Sequence, residues 1–224
     1  MGSRLHPTLG YCWPISSPLA VLPSPWTPSR SRGSPMPDLL DVIARRASRY
    51  AFAADPLPDD VLETLFEAAR WAPSYGNRQP WRFVVARAPH VLAAVQATLT
   101  RGNQYARRAP VLVAMAADPN DGQIREGREY YLLDCGMALE NLLLQAVALG
   151  VQAHPLGGFD EDGVRAALAI PAQVRVLALI ALGYPADPAT LDEDTRERDA
   201  RPRRRKPPEE VRAFDTWAWR ESPD

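Results

Sequence analysis

The chain has 224 residues, 46% of them apolar, and a net charge of −1. That size suits one domain with a single sizeable core, and the neutral balance gives no whole-chain field for nucleic acid or a membrane surface. No apolar run reaches the roughly 18 residues of a membrane-spanning helix, and a cytoplasmic setting is expected.

Residues 1–37 contain no Asp or Glu and are dense in Pro and Ser. No apolar period runs through them, so they read as a disordered leader. Met36 stands just before the first periodic segment and is expected to lie near the natural start. Leu39, Leu40, Val42 and Ile43 open a first helix that runs into Arg45-Arg46. A second begins near Asp59, with Val61, Leu62, Leu65, Phe66 and Ala69 as its apolar stripe, Asp60 and Glu63 at capping-box spacing, and Pro73 as its stop. Arg82 to Ala86 reads as a strand and Pro89 to Thr98 as a helix. Pro110 to Ala117 reads as a buried strand. Tyr130 to Leu149 is apolar nearly all round, which predicts a central buried helix closed by Gly150. A short strand, Val151 to His154, a short helix, Asp160 to Leu168, and a buried strand, Val174 to Leu182, follow. The chain ends with an acidic stretch at 192–199, an arginine run at 201–205 and a tail from 213. The order predicts an α+β fold with helices around one sheet.

The basic residues are almost all arginine; Lys206 is the single lysine. An anion site in this chain is therefore expected to use planar guanidinium forks. Arg45-Arg46-Ala47-Ser48-Arg49 clusters three of them, a pattern that suits either a phosphate or a solvated basic face. Ala72 to Trp81 is a loop with Ser74, Asn77 and Gln79 within short reach; amides both donate and accept, as the edge of a heterocycle requires. His154-Pro155-Leu156-Gly157-Gly158-Phe159-Asp160 has paired glycines where backbone can approach a ligand closely, or simply a turn capped by Asp160. Arg201-Pro202-Arg203-Arg204-Arg205-Lys206-Pro207 reads as a stiff extended basic segment between prolines. Cys12 and Cys135 form no metal or disulfide pattern, and Cys135 reads as a small core residue. The three histidines lack metal-ligand spacing, and His154 reads as structural. No metal site and no catalytic side chain is expected.

In this order, these stretches resemble the nitroreductase family, over roughly residues 38–212. The match runs through Arg45 to Arg49, Ala72 to Phe83, Pro155 to Asp160 and Arg203 to Pro207. Pro-Ser-x-x-Asn-x-Gln-Pro-Trp is the most specific piece. The resemblance implies a mixed central sheet flanked by helices, in an intertwined homodimer with FMN at the interface. It implies that Arg45, Arg46, Ala47 and Arg49 meet the FMN phosphate, ribityl chain and pyrimidine end, and that Arg203 and Arg205 close on the phosphate. Ser74, Asn77 and Gln79 would approach the flavin from the partner subunit, Gly157 and Gly158 would lie near N5, and Asn103 would contact the pyrimidine ring. Two departures stand out. Ala47 replaces the family's Ser, with Ser48 as a possible substitute, and the segment from Arg49 to Pro56 is about one residue longer.

The implied activity is ping-pong electron transfer from NADH or NADPH, through FMN, to a nitroaromatic, quinone or similar small acceptor. Arg49 would be the cation near N1 and O2. A flavin-fragmenting or dehalogenating enzyme of the same fold, or a non-catalytic FMN-binding protein, are the alternatives. A nucleic-acid module ranks below them, since no aromatics interleave the arginine run.

Overall fold

A computed structural model describes residues 39–219. The expected leader, residues 1–37, and the last residues of the tail lie outside that range.

Two strands carry the fold. β2 (Val111–Ala117) is buried along its whole length, and β6 (Arg175–Gly183) along nearly all of it. Their near-continuous apolar sequence is what a strand covered on both faces needs. They pair antiparallel as the centre of a four-stranded sheet. β1 (Trp81–Ala86) lies outside β2, and β5 (Gln152–Leu156) lies outside β6. Every pairing in this sheet is antiparallel. The parallel component of the expected mixed sheet is thus not supplied by these four strands.

The period of two along each strand divides the core into two layers. Val111, Val113, Met115, Ile180 and Leu182 face one layer, with α2 (Asp59–Arg70) and α4 (Tyr130–Ala148). Leu112, Ala114, Leu179 and Ala181 face the other, with Val95 of α3 (Pro89–Ala97) and Val164 of α5 (Glu161–Leu168). On α2, Leu62, Leu65 and Ala69 form the buried stripe, and the Asn141 amide of α4 donates to the Ala68 carbonyl at 3.1 Å.

Three expectations need correction. The capping box at Asp60 does not form. α2 starts at Asp59 behind Pro58, so Asp60 lies inside the first turn and accepts from the Val61 N–H instead. α2 also ends at Arg70, before Pro73, because Trp71 closes it. Finally, α4 is not buried all round. Tyr131, Cys135, Ala138, Leu142 and Ala146 are covered, whereas Leu132 and Leu133 stand exposed. Its C-terminus is closed as expected: Gly150 has φ +68°. The Val151 N–H reaches the Ala146 carbonyl at 2.8 Å and the Gly150 N–H reaches Val147 at 3.2 Å, the paired bonds of a Schellman cap.

The first helix is short. α1 (Asp41–Arg45) ends before Arg46, and Leu39, Leu40 and Ile43 are exposed. A two-stranded hairpin, β3 (Ile124–Arg125) and β4 (Arg128–Glu129), precedes α4. α6 (Glu193–Ala200) is capped by the Asp192 carboxylate, which accepts from the Thr195 N–H at 2.9 Å. Among the described residues no helix is long and apolar enough to cross a membrane.

Candidate anion-binding site

Ending α1 at Arg45 releases residues 46–50 into an irregular segment that lies against the chain leaving α6. The two segments enclose a cavity of about 220 Å3, whose wall includes Arg46, Arg49, Arg203 and Arg205. Arg198, Arg201 and Ala47 also line it, and Asp199 is the sole carboxylate on the wall among the described residues. Arg203 spans the junction: its guanidinium donates to the carbonyls of Arg46 and Ala44. Burial, then the nearby cations Arg205, Arg46 and Arg49, push the Arg203 pKa below its ordinary value. Guanidiniums crowded this way form a cradle for an anion with several acceptor oxygens. A neighbouring cavity of about 390 Å3 shares Arg198, but its wall mixes Arg101 with Asp192 and Asp194, so it does not concentrate one sign of charge.

Arg45 is placed differently. It does not line the cavity; its Nε lies 2.7 Å from the Asp41 carboxylate one turn earlier, at an angle outside hydrogen-bond geometry. Ser48 accepts from Arg46 Nη1 at 3.3 Å. Arg49 is held from two sides. Its guanidinium donates to the Asp199 carbonyl at 2.7 Å and lies 3.6 Å from the Asp199 carboxylate. Its carbonyl accepts from His154 Nδ1 at 2.9 Å. That bond puts the imidazole proton on Nδ1 and leaves Nε2 to accept from the Tyr105 hydroxyl at 3.2 Å. His154 is a buried brace, in line with its structural reading.

The paired glycines have unequal roles. The Gly158 carbonyl takes the Asn103 amide at 2.9 Å, the Thr100 hydroxyl at 3.0 Å and the Thr100 N–H at 3.1 Å. A Cβ on Gly158 would come within 2.5 Å of Thr100 Oγ1 and 2.8 Å of Asn103 Nδ2, while a Cβ on Gly157 would meet nothing within 4 Å. Asn103 therefore packs on the glycine turn, and Gly157 is the open position.

Ser74, Asn77 and Gln79 form one tightly folded loop. The Ser74 hydroxyl accepts from the Gln79 N–H at 3.0 Å, and the Gln79 amide donates to Asn77 Oδ1 at 3.0 Å. Gly76, Asn77 and Gln79 all adopt left-handed backbone, with φ of +59°, +54° and +50°. Strain of that kind persists only where surroundings impose it. One contact from outside the loop comes from Asp134 on α4, 1% exposed, whose Oδ1 accepts from the Tyr75 N–H at 3.0 Å. None of the loop's side chains lines the arginine cavity of the same chain. Sequence reading missed Asp134, although a lone carboxylate within the apolar run of α4 is a usable signal. It also missed Asp199 and Tyr50, which carry no local motif.

A model of the Nitroreductase family matches residues 42–118 and 95–184. An Archaeoglobus fulgidus protein, whose name pairs NADH dehydrogenase with NAD(P)H nitroreductase, is 32% identical, covering 68% of this chain and 88% of its own length. A Thermus thermophilus NADH dehydrogenase is 31% identical over 68% of this chain and 89% of its own. A crystal structure described as an oxidoreductase containing FMN is 33% identical with a TM-score of 0.75, covering 86% of this chain and 99% of that one.

Two outcomes test this geometry. Gly158→Ala is expected to lower stability by about 1–3 kcal/mol through overpacking, while Gly157→Ala stays near wild type, as urea unfolding would read. Burial, chiefly, pushes His154 below its ordinary 6.5 although the Arg49 carbonyl and the Asp199 charge pull upward. The unfolded chain then binds the proton first as pH falls. Stability from neutral His154 is complete above about pH 6.5 and is lost progressively below it. Between pH 7.5 and 5.5, His154→Gln should lose less stability than wild type.

Proposed function

The chain belongs to the nitroreductase family, and from that premise we propose that it is an FMN-dependent oxidoreductase acting on electron-poor small molecules with NAD(P)H as donor. The observation that carries this reading is the arginine cavity. Arg46, Arg49, Arg203 and Arg205 offer forked donors to a phosphate monoester, and their mutual repulsion is relieved when a dianion enters. Arg45 joins them by leaving Asp41, whose side chain is 75% exposed; exchanging so solvated a partner costs little.

Bound FMN would supply the redox chemistry between the nicotinamide donor and the electron-poor acceptor. The protein's work is binding and orientation. Gly157, with open space where a side chain would be, lets the backbone come close to a flat ring, while Asn103 and Thr100 fix Gly158 behind it. Arg49 is the cation assigned to the pyrimidine end, where its charge would favour negative charge on the ring. No acid–base side chain is assigned. His154 is bonded on both nitrogens, and the Asp199 carboxylate is engaged with Tyr50 and Arg49.

The loop at 74–79 belongs to a site formed with a second copy of the chain. It is rigid, polar and removed from its own arginine cavity, as a group serving a partner's cofactor would be. The apolar side chains left exposed beside α1 and at the start of α4, Leu40 and Leu133 above all, supply the surface such a homodimer would bury.

Purified protein should carry a flavin absorbance spectrum that NADH or NADPH bleaches under anaerobic conditions and a quinone or nitroaromatic restores. Flavin that neither nucleotide bleaches would instead identify a non-catalytic FMN carrier. Arg46→Ala should weaken FMN binding roughly tenfold to a hundredfold, from loss of about 1.5–3 kcal/mol of charged hydrogen bonding, in a fluorescence titration. Wild-type affinity in that variant would remove the phosphate from this cavity.

A further inference from the structure

A carboxylate on the wall of an anion cavity works against the anion, so its presence needs a reason. Asp199 is 7% exposed. Its Oδ1 accepts from the Tyr50 N–H at 2.9 Å, and Oδ2 lies 3.6 Å from the Arg49 guanidinium. Its main-chain carbonyl takes Arg49 Nη1 at 2.7 Å. One residue thus grips two consecutive residues of the 46–50 segment from the end of α6, at the point where the chain turns into the arginine run. The neighbouring Arg198 covers the Tyr50 ring, 5.1 Å from its centroid. On the other side, His154 holds the Arg49 carbonyl.

We infer that Asp199 is a positioning residue, a latch that joins the C-terminal arginine strap to the Arg45–Arg49 segment and so assembles the anion site before its ligand arrives. The inference rests on the flavin reading of that site. Without the latch, Arg203 on the carbonyls of Arg46 and Ala44 still joins the strap to the segment, but their guanidiniums face each other across the cavity with no other carboxylate on its wall among the described residues. Two effects of opposite sign compete at this position. As a charge, Asp199 repels the phosphate. As a latch, it fixes Arg49, Tyr50 and the strap in one arrangement, sparing the ligand the cost of ordering them. The contacts favour the latch, because both carboxylate oxygens face protein partners.

The test compares Asp199→Ala and Asp199→Asn in the full chain. Hydrogen exchange on the ligand-free protein should quicken at Tyr50 and across residues 198–206 in Asp199→Ala. It should stay near wild type in Asp199→Asn, whose amide oxygen can still accept the Tyr50 N–H. FMN titration should show roughly tenfold or greater weakening in Asp199→Ala, the scale of one charge-assisted bond. In Asp199→Asn, affinity should lie within a few-fold of wild type. The midpoint potential of flavin bound to Asp199→Asn should rise, because the negative charge of the reduced ring is repelled less. The latch is overturned if Asp199→Ala keeps wild-type exchange, if it binds FMN as tightly as wild type or more so, or if Asp199→Asn fails to restore either property. An unchanged potential would also count against Asp199 acting within the flavin's field. Should the wild-type protein bind no FMN, the flavin reading fails by itself, and the exchange comparison still decides the latch.

Discussion

Like-charge repulsion among guanidiniums is the constraint that the local architecture answers. Arg46, Arg49, Arg198, Arg201, Arg203 and Arg205 share the wall of one small cavity, with Asp199 the single carboxylate among the described residues. Left to themselves they would separate into solvent, where each is better hydrated. They are kept together by hydrogen bonds that do not spend their charge: Arg203 on the carbonyls of Ala44 and Arg46, and Arg49 on the carbonyl of Asp199. Carbonyl acceptors satisfy donors while leaving the net charge in place. The cavity therefore stays positive and stays shaped.

That arrangement depends in turn on the sheet. The 46–50 segment is fixed by His154 on β5 and, beyond Tyr50, by Phe52, which bridges to Pro185 just past β6. β5 and β6 pair in register along five residues, from Gln152 opposite Gly183 to Leu156 opposite Leu179. The same strand pair leads on one side to the glycine turn at 157–158 and on the other to the chain that returns as α6 and the arginine strap. The phosphate end and the ring end of the proposed site are thus referenced to one rigid element, which is how a scaffold holds loops to useful tolerance.

Much of this was legible in the sequence, because periodicity reports burial. The doubly covered strands β2 and β6, the stripe of α2 and the Gly150 cap all follow from side-chain pattern and backbone preference. Order along the chain and the Pro-Ser-x-x-Asn-x-Gln-Pro-Trp loop were enough to point to the family. What pattern could not give is long-range pairing. Arg45 and Arg46 are neighbours in sequence, yet only Arg46 lines the cavity, because the helix ends between them. Asp199 ends a stretch that reads only as acidic, and its meeting with Tyr50, 149 residues away, is what places it in the interior. The α4 reading erred for a related reason. Apolar character all round a helix states how much surface must be covered, but not whether the same chain covers it.

The near-exclusive use of arginine has a consequence for the conditions under which such a site can work. Arg203 loses proton affinity to burial and to its neighbours, but a guanidinium starts far above any physiological pH. A lysine begins about two units lower and sheds its proton more readily when buried among other cations. Placed in the same crowd, it would drift toward neutrality as the medium turned alkaline, and the cradle would lose charge one position at a time. Guanidiniums make the cavity nearly indifferent to such drift. As the medium turns alkaline, the positive charge of the cavity stays in place, and its attraction for an anion is set by ionic strength and by the anion's own titration.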